Sequence, residues 1–170
     1  MKKIKYPFWL LFSCVIMFLV FLGYFSGYRF NITDSSPFYV FRLVPLLPAE
    51  EINRHDFVAF RPARIQHDVI PLAIERQYIN HRYLMVKEIA GIPGDTILLK
   101  SGEIFINGVP KSLAVLTKDS QQRNLSPYPT PLILEDGFYW LISDPERGFD
   151  SRYFGPVNRS LLLFRAFPVF

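Results

Sequence analysis

One long uncharged segment near the start of the chain limits what it can fold into more than any other feature. From Phe8 to Gly27 every residue is apolar, aromatic, Gly or Ser, and a helix of about 20 apolar residues spans roughly 30 Å of hydrocarbon. A cleavable signal peptide is the alternative, since three lysines precede the segment. However, the segment exceeds the roughly 7–15 apolar residues of such peptides, and no Ala-x-Ala-like exit follows. The sequence therefore predicts an uncleaved transmembrane anchor over residues 8–28.

The charges beside this segment predict its orientation. Three lysines precede it and only Arg29 follows closely, so residues 1–7 are expected in the cytoplasm and residues 29–170 in the periplasm of a Gram-negative cell, behind a single pass of the inner membrane. Outside the first thirty residues, fifteen basic residues balance fifteen acidic ones, which does not indicate nucleic-acid binding. The single cysteine, Cys14, lies inside the predicted anchor, so an intrachain disulfide is excluded.

The exported part reads as a series of short strands. Alternating apolar and polar residues, rich in β-branched and aromatic types, are separated by Gly, Pro and Asn turns. Residues 63–80 fit a short helix or an irregular excursion, and residues 111–131 fit a long surface connection. The fold class is therefore mainly β, an antiparallel, barrel-like domain behind one N-terminal transmembrane helix. The predicted strands are 39–45, 56–61, 83–89, 95–100, 103–106, 138–142 and 161–167.

Ser35 is a candidate nucleophile because of its position. Eight residues separate it from Gly27, and at about 3.3–3.6 Å per residue its hydroxyl stays within roughly 28 Å of the bilayer. Pro37 restricts Ser36 to extended geometry, which stiffens the segment. The alternative is that Thr33, Ser35 and Ser36 are turn residues of a linker beside the membrane.

Lys87 is a candidate general base. Residues two apart in a strand share a face, so Lys87 is expected beside Met85 and Ile89, with Glu88 on the other face. Apolar surroundings lower the pKa of a lysine, and a neutral amine can activate a serine in a Ser-Lys pair. The alternative is a lysine at a sheet edge whose ammonium reaches water.

A third polar segment follows near the end of the chain, from Ser143 to Pro156. We interpret it as a loop entering a strand, in which Asp150 and Arg152 share a face and form a structural salt bridge. His55, His67 and His81 raise a Ser-His-Asp or metal alternative, but Gly-x-Ser-x-Gly, His-Glu-x-x-His and paired-Cys spacings do not occur. Surface or core histidines, and no metal site, are expected.

Together the three segments resemble the conserved boxes of the type I signal peptidases, and within that family the conjugative-transfer (TraF) branch. The nucleophile box Asn-x-Thr-x-Ser-x-Pro is matched from Asn31 to Pro37. The lysine box Lys-x-x-x-x-x-Pro-Gly-Asp is matched from Lys87 to Asp95. The last box, Phe-Asp-Ser-Arg-Tyr-Phe-Gly-Pro, is matched without a gap by residues 149–156.

The resemblance implies roles for these residues. Ser35 would be the nucleophile and Lys87 the general base, with the Ser35 N–H and the Thr33 hydroxyl as the oxyanion hole. Asp150 and Arg152 would form a structural pair under the site. The family fold is a mainly antiparallel β domain with a substrate groove beside the membrane. Its substrates carry small residues one and three places before the cut, and neither metal nor cofactor takes part.

Some positions depart from the family pattern. Ser36 replaces the usual Met, and Asp34 and Tyr39 stand where Pro and Gly are common. Gly148 occupies the place where relatives often carry a serine that hydrogen-bonds the lysine. Water or another side chain must then orient the amine.

The resulting hypothesis is a membrane-anchored serine endopeptidase of conjugative transfer. Its expected partners are the lipid bilayer and a pilin-like precursor, from which it removes a leader or terminal peptide. Some relatives also join the new ends of the product, and the sequence leaves this open together with the oligomeric state. The alternatives are a general leader peptidase and an inactive scaffold that binds pilin precursors.

Overall fold

The computed structural model describes residues 8–31, 37–143 and 148–170. Short 3₁₀ turns lie at Pro62–Arg64 and Arg159–Leu161. The helices are α1 Phe8–Phe25, α2 Val69–Glu75 and α3 Ser151–Phe154. The strands are β1 Tyr28–Phe30, β2 Val40–Pro45, β3 Phe57–Phe60, β4 Met85–Gly91, β5 Thr96–Lys100, β6 Glu103–Ile106, β7 Val109–Ala114, β8 Leu132–Ile133, β9 Phe138–Ile142, β10 Val157–Asn158 and β11 Leu162–Pro168.

The strands form two antiparallel sheets. Seven strands follow the order β1-β2-β11-β3-β4-β9-β10, and four follow the order β7-β6-β5-β8. The mainly β, antiparallel fold predicted from the sequence is confirmed. In the larger sheet β4 lies between β3 and β9, where Val58 is the cross-strand partner of Lys87 and Ile142 that of Glu88.

The two faces of β4 contribute to different apolar clusters, as its period of two requires. Ile89 belongs to the larger cluster, which also contains Trp140 and Phe154. Leu84 and Val86 pack on the smaller cluster, built around Phe41, Leu43, Ala59 and Ala166. β4 is therefore covered on both faces, which explains why Lys87 and Glu88 are its only charged residues.

Three sequence interpretations need correction. Residues 111–131 are not all connection, because β7 extends to Ala114 and pairs with β6 around the Asn107–Gly108 turn. The loop predicted before the last strands contains the helical turn α3, since the Asp150 side chain caps it by accepting from the Arg152 N–H. Strand β4 is also displaced two residues toward the C-terminus, beginning at Met85 rather than at 83.

Helix α1 has eighteen residues, a length of about 27 Å at the usual rise, and leads almost directly into β1. Gly27 makes the junction: its φ is +90°, and its carbonyl accepts the Leu43 N–H at 2.9 Å. Across residues 8–31, 37–143 and 148–170, none of the helices combines the length and apolar character needed to cross a membrane. The anchor predicted over residues 8–28 therefore stays a prediction.

Candidate active site

Lys87 lies in the middle of β4 with its side chain buried. Alternation along the strand directs it to the same face as Met85 and Ile89, as the sequence predicts, and the residue is only 3% exposed. Glu88 points to the opposite face, where its carboxylate lies 2.6 Å from Nδ1 of His55. The Lys87 side chain is thus on the opposite face of β4 from Glu88, the nearest acid on the strand, and is shielded from water.

Burial changes the acid–base chemistry of this amine. Removal from water lowers the pKa of Lys87 from 10.5 to about 8, although the nearby Asp150 carboxylate raises it and the Arg152 guanidinium lowers it further. Near pH 8 about half of the molecules therefore carry a neutral amine with a free lone pair. Such an amine can take a proton from a hydroxyl within hydrogen-bonding distance.

Ser143 is the hydroxyl that the structure places on this amine. The Lys87 Nζ donates a hydrogen bond to the Ser143 Oγ, and Ser143 is 1% exposed. The pairing of Glu88 with Ile142 explains the contact, because one further step along the antiparallel register brings residue 143 opposite residue 87. The sequence alone indicates no role for Ser143, since the register of β4 against β9 is not visible in it.

Asp150 and Arg152 lie directly behind this contact as a buried ion pair. Both side chains are 0% exposed. The Arg152 Nε and Nη2 donate to the two carboxylate oxygens of Asp150, each at 2.8 Å, the bidentate geometry that gives strong charge-assisted bonds. The Ser143 N–H donates to Oδ2 of Asp150 at 2.8 Å. The pair therefore fixes the backbone of the residue that contacts the lysine.

Arg152 also ties the pair to neighbouring backbone. Its Nη1 donates to the Ala114 carbonyl at 2.7 Å and its Nη2 to the Gly148 carbonyl at 2.8 Å. These bonds connect α3 with the end of β7 and with the segment leading into Asp150. The guanidinium is consequently held by backbone as well as by its carboxylate, so its orientation is fixed by several independent contacts.

A second Asp–Arg pair, formed by Asp95 and Arg54, lies just beyond the C-terminal end of β4. Burial alone would raise the pKa of Asp95, but hydrogen bonds from the Ile92 N–H, Asn107 and Arg54 lower it overall. These bonds are 2.8, 2.7 and 3.0 Å long. Gly94 precedes the acid at a φ of +88°, which glycine adopts without strain. The Pro-Gly-Asp part of the lysine box is therefore a turn that terminates β4.

The predicted nucleophile and oxyanion residues, Ser35 and Thr33, lie outside the described residues, together with Asp34 and Ser36. The residues on either side of that segment are bonded to each other. The Asn31 Nδ2 donates to the Phe38 carbonyl at 3.0 Å, and the Asn31 N–H donates to the Tyr39 carbonyl at 2.7 Å. The ring of Phe38 packs edge-on against Phe57 of β3, with ring centres 5.6 Å apart. The residues that flank positions 32–36 are therefore joined to each other where β1 pairs with β2, and the Phe38 ring also contacts β3.

Two of the three histidines have a local hydrogen-bond partner. His55 contacts Glu88, and Nδ1 of His67 accepts the Val69 N–H at 3.1 Å, whereas His81 is exposed. Within the described part of the chain, no three His, Cys, Asp or Glu residues form a group suited to a metal ion. The lowered pKa of the buried Lys87 amine makes it the group in this site that is suited to proton transfer.

Comparison with known proteins indicates which family the chain resembles. Residues 3–170 match the sequence model of the family described as signal peptidase, peptidase S26. The conjugal transfer protein TraF of Agrobacterium fabrum is 30% identical over 156 residues, which are 88% of this chain and 85% of that protein. A plasmid transfer protein TraF of Escherichia coli is 29% identical over 152 residues, 83% of this chain and 81% of that protein.

A crystal structure is also similar. The signal peptidase I of Enterococcus faecalis V583 aligns with 66% of this chain and 94% of its own, at 25% identity and a TM-score of 0.38. That TM-score is too low for the likeness to bear on the fold assignment, which depends on the strand pairing and on the family match.

Proposed function

Since the chain belongs to the signal peptidase family, peptidase S26, we propose that it is a serine endopeptidase in which Ser35 is the nucleophile and Lys87 the general base. The observation that carries the proposal is the buried lysine, 3% exposed and with its pKa lowered to about 8. A lysine is rarely buried without a paired charge. Burial of Lys87 costs free energy, but it favours the neutral amine. A neutral amine is what general-base activation of a serine nucleophile requires.

The proposed reaction has two steps. The neutral Lys87 amine takes the Ser35 hydroxyl proton as the oxygen attacks the scissile carbonyl, and the resulting ammonium protonates the departing amine. The Ser35 N–H and the Thr33 hydroxyl would donate to the oxyanion. Water, activated by the amine again, then hydrolyses the acyl-enzyme. Asp150 and Arg152 support the site from behind without touching substrate.

Chain geometry limits where Ser35 can lie. Phe38 packs against Phe57, which is the cross-strand partner of Glu88 and therefore lies on the face of the sheet opposite to the Lys87 side chain. Ser35 precedes Phe38 by three residues, which span at most about 11 Å. The proposed pair therefore requires the serine to reach the Lys87 amine within that span of Phe38.

We also propose that residues 8–28 anchor the chain in the inner membrane, with residues 1–7 in the cytoplasm and residues 29–170 in the periplasm. The large apolar side chains of α1 are exposed from Trp9 to Phe25, and a helix with an apolar surface on every side gains stability from a hydrocarbon environment. Its direct junction with β1 keeps the site near the bilayer, where an exported precursor would be accessible.

The proposed substrate is a pilin-like precursor of conjugative transfer, cleaved to remove a leader or terminal peptide. Support comes from the similarity to proteins named for conjugal and plasmid transfer. Joining of the product's ends would follow if an amine, rather than water, resolved the acyl-enzyme. A general leader peptidase and an inactive precursor-binding scaffold are the competing functions.

The test is mass spectrometry of a co-produced pilin-like precursor beside wild type, Ser35→Ala and Lys87→Ala. Loss of a leader-sized mass with wild type alone is expected, and a further deficit of one water would identify cyclised product. Processing by all three proteins would exclude the Ser-Lys pair, whereas an intact precursor in all three would favour the scaffold. Trimming of unrelated secretory precursors by wild type would favour the general leader peptidase.

The pH dependence provides a separate prediction. Because protonation of Lys87 removes the base, the rate of cleavage should fall as the pH drops through about 8, the pKa of the buried amine. Initial rates measured between pH 6 and 10 would check this. A rate that stays at its maximum well below neutral pH would contradict a neutral lysine base.

A further inference from the structure

We infer that Ser143 is the residue that positions the catalytic amine, and that it supplies from the end of β9 the hydroxyl that Gly148 lacks. This inference rests on the proposed Ser-Lys chemistry and adds a residue to it. The observation behind it is the hydrogen bond from the Lys87 Nζ to the Ser143 Oγ between two buried residues.

The direction of the hydrogen bond gives Ser143 its role. A neutral amine has two N–H groups and one lone pair. If the Ser143 oxygen accepts one N–H, rotation about the final bond of the lysine side chain is restricted. The lone pair is then restricted to the two remaining positions around the nitrogen, so fewer orientations of the amine are unproductive for taking a proton. A general base fixed in this way avoids the cost of orienting itself during each reaction.

The position of Ser143 is itself well determined. Its N–H is bonded to Oδ2 of Asp150 at 2.8 Å, and that carboxylate is held by two bonds from Arg152. The register of β9 against β4 aligns residue 143 with residue 87. Strand pairing and a buried ion pair therefore fix the hydroxyl independently, which is what a positioning role requires.

A nucleophilic role for Ser143 does not fit the same geometry. The residue is 1% exposed, so a peptide carbonyl cannot approach its oxygen without displacing the core. Its backbone N–H is already donated to Asp150, so it cannot help to form an oxyanion hole. Ser143 acts through Lys87.

The experiment compares Ser143→Ala, which removes the acceptor, with Ser143→Cys, which fills the site with a weaker acceptor. The matched control is Ser151→Ala. Ser151 is equally buried, and its Oγ accepts the Leu141 N–H at 2.9 Å, a bond of β9 that does not involve Lys87. All variants are made in the full-length chain in detergent. They are assayed on a fluorogenic peptide spanning the cleavage site found by mass spectrometry.

For both Ser143 variants we expect kcat at pH 9 to fall about 10- to 100-fold with KM within about twofold, since a misplaced base slows the chemical step. Loss of the acceptor also destabilises the ammonium. The pH at which the rate declines on the acid side should consequently be lower than in wild type. The midpoint of the Lys87 Cε titration in ¹³C-lysine NMR, which requires no substrate, should move in the same direction. Ser151→Ala should keep the wild-type pH profile.

Three outcomes would overturn the inference. The first is a wild-type kcat and pH profile in both Ser143 variants. The second is a lowered kcat with a pH profile that matches Ser151→Ala in both variants. The third is a fall of kcat to the background of Ser35→Ala, which would make Ser143 essential in its own right. In the same assay, activity of wild type and inactivity of Lys87→Ala report on the proposed function. Its failure is therefore distinguishable from failure of the Ser143 inference.

Discussion

Two aspartate–arginine pairs lie near β4, one behind Lys87 in the middle of the strand and one just beyond its C-terminal end, and the two pairs differ in exposure. The side chains of Asp150 and Arg152, behind Lys87, are both 0% exposed and meet through two bonds. Beyond the C-terminal end, the side chain of Arg54 is 29% and that of Asp95 8% exposed, and their oxygen–nitrogen distance is 2.9 Å. We call the fully buried Asp150–Arg152 pair the dry pair and the partly exposed Arg54–Asp95 pair the wet pair.

The difference in exposure corresponds to a difference in what each pair does. Asp95 uses its carboxylate to close a turn, accepting the Ile92 N–H and the Asn107 amide. Asp150 holds the backbone of Ser143 and places a negative charge near a buried lysine. Burying an ion pair costs desolvation energy that well-packed apolar residues would not cost. We therefore interpret the dry pair as a device that fixes the base, at some cost in stability.

The largest effect is expected when the dry pair is broken. Asp150→Ala leaves the Arg152 guanidinium buried without its carboxylate and the Ser143 N–H without its acceptor. The free energy of unfolding should fall by about 3–5 kcal/mol, measured by guanidinium denaturation of the full-length chain. The double variant Asp150→Ala/Arg152→Met should recover part of this loss, because it removes the unpaired charge. A loss below about 1 kcal/mol in the single variant would contradict the interpretation.

Replacing Lys87 with an apolar residue should raise the free energy of unfolding, whereas breaking the Asp150–Arg152 pair lowers it. The pKa of Lys87 is about 8 in the folded chain and 10.5 in the reference state, so the unfolded chain binds more protons between these pH values. Stability therefore rises with pH across that window, and the full cost of the buried charge is present below pH 8. Lys87→Met should raise the free energy of unfolding at pH 7 by up to about 3 kcal/mol while abolishing cleavage.

The control for this comparison is Lys100→Met, which replaces an exposed lysine. Stability curves measured at pH 7, 8.5 and 10 should show a smaller rise with pH in Lys87→Met than in wild type, and an unchanged rise in Lys100→Met. Equal slopes in all three proteins would mean that the lysine is not desolvated in the folded chain.

The smallest effect is expected at the wet pair. Asp95→Ala removes one partly exposed ion pair and the acceptor of the Ile92 N–H, for an expected loss of about 1–2 kcal/mol. The pH profile of cleavage should keep its shape, because Asp95 is not among the groups that influence the pKa of Lys87. Denaturation beside Asp150→Ala would show whether the two pairs differ as their exposure predicts, and equal losses would refute the comparison.

Much of the fold was predictable from local patterns. The period of two along β4 correctly predicts that Lys87 lies on the face of Met85 and Ile89, although the strand begins and ends two residues later than predicted. Other features depend on contacts between distant residues. Ser143 contacts Lys87 only because β9 pairs with β4 in one register, and a shift of one residue would turn its side chain to the other face.

The turn at α3 illustrates a different difficulty. Residues 150–152 read equally well as extended chain, and the helical turn forms because the Asp150 carboxylate can accept the Arg152 N–H locally. The ion pair predicted for an extended segment is present in a helical one. For Ser35 and Thr33 the sequence assignment remains a prediction, since both lie outside the described residues.

The junction at Gly27 has a mechanical consequence. A side chain there would begin 2.5 Å from the Leu43 carbonyl oxygen, and the backbone of Gly27 is bonded to Leu43, so α1 meets the sheet without slack. β2 in turn pairs with β11, which leads to the middle of the larger sheet. Any larger residue at position 27 would have to displace the Leu43 carbonyl, so the angle at which α1 meets the sheet depends on this one glycine.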